Sequence, residues 1–295
     1  MCAIFLELIS EKNHWLQLPG VMMRKIKDAL KLFVPPIIGK VIGFHRKSFE
    51  FKETSLGWRE IVKETKGYEA DNILNKCKNA LLKVKNGEYP YERDSVLFDT
   101  LQIFYPLLSA LFYVALQYNS ELNLIDFGGS LGSTYYQNRD LLKKGKIKFS
   151  WNVVEQEHFV KCGKEYFETD ELKFMHDLIE TTKSRKISVC LLSGVLQYLE
   201  SPYAILEKIF NSDIEYIIID RTTFTNNNKD VLTIQTVHKE IYEAKYPAWF
   251  FSFDMFQKYI EKKYEIIYSW EGFDSVDLKG YKVFSLGYLL KKTTK

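Results

Sequence analysis

The second half of the chain alternates between short apolar segments and amphipathic segments, and this pattern limits the possible folds more than any other feature. Strand patterns occur at residues 122–127, 147–154, 172–175, 187–192 and 216–219. Helical patterns separate them, most clearly at residues 134–144, 157–167 and 202–210. Strands that alternate with helices form βαβ units. The sequence therefore predicts an α/β fold with a Rossmann-like, mostly parallel sheet and helices on both faces.

The two ends of the chain differ from this alternating part. The last two strand patterns, 264–270 and 282–291, have no helix between them, which predicts an antiparallel pair that closes the sheet. Residues 55–118 carry helical patterns around a turn-like segment at residues 89–94. We therefore expect three parts, which are a basic amphipathic N-terminal extension (1–54), a helical lead-in or lid (55–118) and the α/β domain (119–295).

Charge and composition argue against several classes of protein. A net charge of +3 over 295 residues does not indicate a nucleic-acid-binding protein. The four cysteines contain no C-x-x-C pair and the five histidines no H-E-x-x-H, so no metal site is predicted. The start of the chain lacks a signal-peptide pattern, and no segment has the roughly 18 apolar residues that span a bilayer. We expect a cytoplasmic protein.

Positive charge is concentrated near the N-terminus. Residues 21–52 carry a net charge of +6, and the rest of the chain carries −3. This segment also contains apolar side chains, so it can be a helix that docks on the protein body and exposes a basic face. It can equally be a surface that contacts anionic lipid, which would place the protein peripherally at the inner membrane.

A glycine-rich segment with an acidic residue lies where the first predicted strand meets its helix. It reads Asp126-Phe127-Gly128-Gly129-Ser130-Leu131-Gly132. Glycines at such a corner let the backbone turn tightly and approach a ligand closely. The spacing is not the G-x-G-x-x-G of dinucleotide sites, and a carboxylate at the strand tip would repel pyrophosphate. It suits a cationic ligand with polar groups, such as S-adenosylmethionine.

Two further strand ends carry polar side chains. Glu155 ends the next strand, 23 residues after Gly132, where a carboxylate can accept hydrogen bonds from both ribose hydroxyls, with Gln156 beside the adenine. The buried strand at residues 187–192 continues into small and polar residues that leave room for a ligand beside the sheet. The predicted cofactor contacts in this third segment are Ser193, Gly194 and Tyr198.

These segments together resemble a known family. The order D-F-G-G-S-L-G, V-V-E-Q, L-L-S-G-V-L-Q-Y-L and I-I-I-D-R is similar to the class I S-adenosylmethionine-dependent methyltransferases. The chain looks most like the methyltransferases found among bacterial surface-polysaccharide biosynthesis genes, over roughly residues 55–295. That narrower likeness includes Y-E-R-D-S from residue 91, G-S with Y-Q-N-R between residues 132 and 139, D-R-T from residue 220 and Y-P-A-W-F from residue 246.

The resemblance implies a cofactor and a function. The methionine end of S-adenosylmethionine is expected against the loop, and the ribose against Glu155. The implied loop residues are Asp126, Gly128, Gly129, Ser130 and Gly132. The family usually has glycine where Ser130 stands. The expected activity is O-methylation of a small-molecule or glycan acceptor, such as a sugar precursor in surface-polysaccharide biosynthesis.

Two other functions remain open on the sequence alone. One is a non-catalytic binding protein with the methyltransferase fold. The other is a nicotinamide-dependent oxidoreductase on a similar sheet, against which the missing G-x-G-x-x-G argues. Methylation of nucleic-acid bases has still less support from the sequence, because no N/D-P-P-Y/F motif follows the strand at residues 187–192.

Candidates for catalysis follow from the chemistry of methyl transfer to a hydroxyl, which benefits from a general base. His238 is the preferred base, because it follows the fifth strand and precedes an aromatic segment. Asp220 is a second candidate for a base or an orienting group, and Arg221 for holding an anionic substrate group. Both come at the carboxyl end of a strand, where open α/β sheets bind ligands.

Aromatic and charged residues supply the expected acceptor contacts. Aromatic rings can stack on a sugar ring, and the lead-in can form a lid that includes Tyr91, Glu92 and Arg93. The predicted substrate-binding residues are Tyr91, Arg93, Tyr242, Tyr246 and Trp249.

Overall fold

The computed structural model describes residues 49–65, 70–237, 244–272 and 276–293. Two of the predicted site residues, His238 and Tyr242, lie outside these ranges. So does the basic segment at residues 21–52, apart from its last four residues. No helix within the described ranges combines the length and apolarity needed to cross a membrane.

The segment before the α/β alternation contains both helices and strands. Its elements in chain order are β1 (Phe49–Glu53), α1 (Trp58–Glu64), α2 (Ala70–Lys85), β2 (Tyr91–Arg93), β3 (Val96–Phe98) and α3 (Tyr105–Gln117). The strand β1 lies within the range that the sequence assigned to the N-terminal extension. It pairs with a later strand of the sheet.

The alternation predicted from the sequence follows α3. Its elements are β4 (Glu121–Phe127), α4 (Ser133–Lys144), β5 (Lys148–Val154), α5 (Glu157–Tyr166), β6 (Leu172–Met175), α6 (Leu178–Ser184), β7 (Val189–Ser193), a 3₁₀ turn (Leu196–Tyr198), α7 (Pro202–Phe210) and β8 (Tyr216–Thr225). The chain continues through β9 (Val231–Val237), β10 (Ala244–Ser252), α8 (Phe253–Ile260), β11 (Tyr264–Glu271) and β12 (Val283–Lys292).

The strand order confirms the predicted sheet. The strands β6, β5, β4, β7 and β8 lie side by side and are parallel. β12 pairs antiparallel with β8, and β11 pairs antiparallel with β12, which is the predicted closing pair. β8 is longer than β7, and its last two residues pair with β10 instead. Through β10 the sheet gains the antiparallel strands β9 and β1.

Helices cover both faces of the sheet, as predicted. Neighbouring residues of β7 alternate between two apolar clusters: Val189 and Leu191 pack with α3, α4 and α5, whereas Cys190 and Leu192 pack with α6, α7 and α8. All four side chains are fully buried. A strand that is buried on both faces has apolar residues at consecutive positions, so this segment could be predicted as a buried strand from the sequence.

The lead-in, which was predicted to be helical around a turn-like segment at residues 89–94, also contains two short strands. Residues 91–98 form the hairpin β2–β3, whose turn residues Asp94 and Ser95 have positive φ angles of 51° and 65°. Two positive φ angles are typical of the tight turns that join two short strands. The third helix begins at residue 105, and Pro106 occupies its first turn.

The strands β9 and β10 were absent from the prediction. Buried and half-buried residues alternate strictly along β9, a period-2 signal that is present in the sequence V-L-T-I-Q-T-V. In β10 the sequence contains Pro247, which argues against a strand interior. The proline is accommodated because β10 pairs with β8 only through its last two residues.

Candidate functional site

A cleft of about 690 Å³ lies at the carboxyl ends of the parallel strands. The strand order reverses between β4 and β7, because the chain builds outward to β6 on one side and to β8 on the other. Open α/β sheets bind ligands in the crevice at such a reversal. Residues at the ends of β4, β7 and β8 line the cleft together with residues of α1, α2, the β2–β3 hairpin, β9 and β10.

Most of the residues predicted from the sequence line this one cleft. They are Tyr91, Arg93, Asp126, Gly128, Gly129, Ser130, Gln156, Ser193, Gly194, Tyr198, Asp220, Arg221 and Tyr246. Three predicted residues lie close to it without being part of its lining, namely Gly132, Glu155 and Trp249. The remaining two, His238 and Tyr242, belong to the segment that the structure does not describe.

The glycine-rich loop packs closely against the carboxyl group of Asp126. At Gly129 a Cβ atom would lie 2.5 Å from Oδ2 of Asp126, so any side chain here would displace the carboxylate. At Gly128 the φ angle is +74° and a Cβ atom would lie 2.3 Å from Cγ2 of Val195. Ser130 also has a left-handed φ of 54°, a conformation that glycine adopts at less cost than serine.

Asp126 is a buried carboxyl group at the tip of β4. Its side chain is 1% exposed, and Oδ2 accepts a hydrogen bond of 2.9 Å from Nε1 of Trp151. Burial raises the pKa of Asp126 to about 7, and the negative charge of Glu155 adds to this shift. A carboxyl group with this pKa is poised to ionise when a cation binds beside it.

Glu155 holds the loop from the tip of β5. Its Oε1 accepts a hydrogen bond of 3.3 Å from the backbone N–H of Ser130, and its Oε2 accepts one of 2.8 Å from the N–H of Gln156. Burial raises the pKa of this carboxyl group. The side chain therefore lies over the loop at the rim of the cleft, while Gln156, the N-cap of α5, faces into it.

A second buried acid lies at the end of β8. Asp220 is 1% exposed, and it accepts hydrogen bonds from Nε1 of Trp270 (3.0 Å) and from Oγ of Ser193 (3.2 Å). Burial raises the pKa of Asp220. The side chain is held in one orientation at the centre of the cleft, as a base or an orienting group requires.

Arg221, the residue after Asp220, lies in a β-bulge of β8. Thr222 pairs with Leu286 and Ile219 with Tyr288, so two residues, Asp220 and Arg221, face the single Gly287 of β12. Such bulges redirect side chains and are frequent beside functional sites. The guanidinium group of Arg221 lies at 2.9 Å from Oδ2 of Asp94 in the hairpin turn.

Glu92, in the hairpin, is a buried acid in the cleft that the sequence prediction did not select as a site residue. It is 3% exposed and accepts hydrogen bonds from the hydroxyl of Ser133 and from the backbone N–H of Ser95 (3.1 Å). Burial raises its pKa to about 7. The sequence placed it in a possible lid, but its burial depends on the packing of the hairpin against α4, which no local pattern reports.

Aromatic rings and amide groups form another wall of the cleft. The rings of Tyr198 and Tyr246 meet edge to face with centroids 5.5 Å apart, and the Tyr198 hydroxyl donates to Oε1 of Gln235 at 2.9 Å. Trp249 supports this wall from behind. Its ring stacks on Trp58, which lines the cleft, and its Nε1 donates to the carbonyl oxygen of Leu199.

Comparison with known proteins identifies similar structures but no family. No protein-family model and no curated protein matches the chain. The N-terminal domain of EvdMO1, crystallised with S-adenosylhomocysteine and D-fucose, has a TM-score of 0.44 at 10% identity, covering 76% of this chain and 100% of that one. A S-adenosylmethionine-dependent methyltransferase from Methanosarcina mazei has a TM-score of 0.41 at 12% identity, covering 61% and 98%.

A third similar structure is CalS10, an amino pentose methyltransferase from Micromonospora echinaspora that was solved with S-adenosylmethionine bound. Its TM-score is 0.39 at 8% identity, and the match covers 65% of this chain and 92% of that one. Identities of this size are too low to transfer a function from any of the three proteins to this chain.

Proposed function

We propose that this chain is a S-adenosylmethionine-dependent methyltransferase that methylates a hydroxyl group of a sugar or glycan precursor. The observation that carries the proposal is the loop at residues 128–132, which packs directly on the buried Asp126 at the point where the strand order reverses. A second acid, Glu155, holds the same loop from the neighbouring strand. This arrangement suits a ligand that brings positive charge and hydroxyl groups to the same corner.

The charge of the cleft supports a cationic cofactor. Asp126, Glu92 and Asp220 are each at least 97% buried, and all three line the cleft. Burying carboxylates is costly unless positive charge compensates them, and S-adenosylmethionine carries both an ammonium and a sulfonium group. The loop and Asp126 would hold its methionine end, Glu155 its ribose, and Gln156 would face its adenine. The volume of the cleft suffices for a cofactor together with a small acceptor.

When bound, the cofactor would supply a methyl group on its sulfonium sulfur. The protein then has two tasks, which are to align the acceptor oxygen with the methyl carbon and to receive the proton of the acceptor hydroxyl. Asp220, fixed by Trp270 and Ser193, is a base or orienting group that the described residues provide. Glu92, whose pKa is raised to about 7, is another carboxyl group suited to proton transfer near neutral pH. His238 stays a predicted base.

The wall of tyrosines and glutamines supports a sugar as the acceptor. Flat aromatic faces contact the apolar side of a sugar ring, and amide groups pair with its hydroxyls. Tyr198, Gln235 and Tyr246 provide such groups on one side of the cleft. Transfer of a labelled methyl group from S-adenosylmethionine to a panel of free, phosphorylated and nucleotide-activated sugars tests this choice, because a protein that only binds the cofactor labels none of them.

Removing the Glu155 side chain should weaken the binding of S-adenosylhomocysteine. The Glu155→Ala variant would lose the hydrogen bonds that the ribose hydroxyls donate to this carboxylate, and hydrogen bonds to a charged group are worth about 1.5–3 kcal/mol, or about 10- to 150-fold in affinity. Isothermal titration calorimetry measures the change. Glu157→Ala is the matched control, because Glu157 is an exposed glutamate only two positions further along, in the first turn of α5. Equal affinities of Glu155→Ala and the control would remove Glu155 from the cofactor site.

A further inference from the structure

Arg221 points into the cleft from a constrained backbone position. Its φ angle of 50° lies in the left-handed region, on the bulge opposite Gly287. A residue that is not glycine keeps this conformation only where the surrounding structure imposes it, and such positions concentrate at functional sites. Nε2 of Gln197 donates a 3.0 Å hydrogen bond to the carbonyl oxygen of Arg221 and so fixes the bulge. The Arg221 side chain is 23% exposed.

The acidic partner of Arg221 is more exposed than Arg221 itself. Asp94 lies at the tip of a hairpin whose two strands have three residues each, and its side chain is 48% exposed. Desolvation opposes its ionisation, but the nearby charge of Arg221 outweighs this and lowers the pKa of Asp94. The pair therefore joins a fixed cation on the sheet to an anion at the end of a short hairpin. Arg93, the preceding hairpin residue, lines the same cleft.

A buried acceptor without a partner lies next to this pair. Gln197 is 6% exposed and lines the cleft, and its Oε1 has no hydrogen-bond partner among the described residues. Exchanging its oxygen and nitrogen would point an oxygen at the carbonyl of Arg221, so the orientation is determined. Buried polar atoms are nearly always paired, so an O–H or N–H group of a ligand in the cleft would give this oxygen a donor.

We propose that Arg221, together with Arg93, binds a phosphate group on a hydroxylated acceptor, and that Asp94 takes the place of this phosphate when no acceptor is present. The proposal deepens the proposed function by naming a phosphorylated acceptor, and it rests on that function for the acceptor's role. Guanidinium groups match phosphate with two parallel hydrogen bonds. A hydroxyl group of the same acceptor then donates to Oε1 of Gln197, which explains the unpaired atom.

Neutralising Asp94 should expose the phosphate site. We expect the full-length Asp94→Asn variant to bind inorganic phosphate about 3- to 5-fold more tightly than the wild type, since an exposed ion pair contributes at most about this factor. Titration followed by ³¹P nuclear magnetic resonance at constant ionic strength measures the affinities. Glu207→Gln is the matched control, because Glu207 is also 48% exposed and pairs with Lys263 at 3.0 Å on another surface. Its phosphate affinity should equal that of the wild type.

Two results would overturn the proposal. The first is that Asp94→Asn binds phosphate no more tightly than Glu207→Gln; an equal gain in both variants would indicate a general effect of charge. The second is a gain that survives when Arg221→Gln is added to Asp94→Asn. If that double variant does not fold, the comparison of the two single variants still decides. Calorimetry with S-adenosylhomocysteine on the same proteins distinguishes the two proposals. If the proteins bind S-adenosylhomocysteine but show no gain in phosphate affinity, only the phosphate site is wrong; if they do not bind S-adenosylhomocysteine, the cofactor assignment is wrong.

Discussion

The Gly129→Ala variant should lose at least about 100-fold in affinity for S-adenosylhomocysteine, which corresponds to about 2.7 kcal/mol. The new Cβ atom would lie 2.5 Å from the Asp126 carboxyl group, so either the loop or the acid must move. Movement of either one separates the two groups that are proposed to hold the methionine end of the cofactor. Calorimetry measures the affinity, and circular dichroism shows whether the variant is folded.

Gly57→Ala is the control for this substitution. Gly57 has an ordinary φ angle of −74°, and a Cβ atom there would meet only the flexible end of Glu60, at 3.4 Å. Its affinity for S-adenosylhomocysteine should match that of the wild type. A folded Gly129→Ala protein that binds as tightly as the control would show that the loop does not contact the cofactor.

The Asp126→Asn variant should be more stable than the wild type at pH 8, by up to about 4 kcal/mol. Burial raises the pKa of Asp126 from 3.8 to about 7, so the folded state binds more protons than the unfolded state between these values. The contribution of this group to stability is therefore present below about pH 4 and is lost as the pH rises to about 7. Asparagine does not titrate, and its Oδ1 can still accept from Trp151.

Urea unfolding of both proteins between pH 4 and pH 8 tests this result. The difference in free energy of unfolding should grow as the pH rises to about 7 and stay constant above it. Asp140→Asn is the control, because the Asp140 side chain is 70% exposed and its removal changes the net charge equally. A difference that does not vary with pH, or a variant that is less stable at pH 8, would contradict the raised pKa.

The central sheet was predictable because its signals are local. The helix predicted at residues 202–210 has the same bounds in the structure, since Pro202 marks its first turn. The strand predicted at 172–175 is also unchanged. Asp126, the glycines and Glu155 could be placed near one another because the strand ends of a parallel sheet converge at one edge. Periodicity and chain order therefore account for the location of most of these residues at one cleft, while their role as cofactor contacts stays a prediction.

Other parts of the cleft depend on contacts between distant parts of the chain. Asp94 and Arg221 are 127 residues apart, and no local pattern pairs them. Likewise, Gln235 reaches the cleft only because β9 and β10 extend the sheet beyond the end of β7. The period-2 pattern of β9 was detectable, but its position in the sheet follows from pairing, which the sequence of one segment does not determine.

The most direct test of the central claim is calorimetric titration of the full-length protein with S-adenosylmethionine, S-adenosylhomocysteine and NAD. A loop packed on Asp126, with Glu155 beside it, should bind the first two ligands and leave NAD unbound, because the carboxylate at this corner would repel a pyrophosphate placed against the loop. Binding of NAD without binding of S-adenosylhomocysteine would contradict the proposed methyltransferase and favour an oxidoreductase.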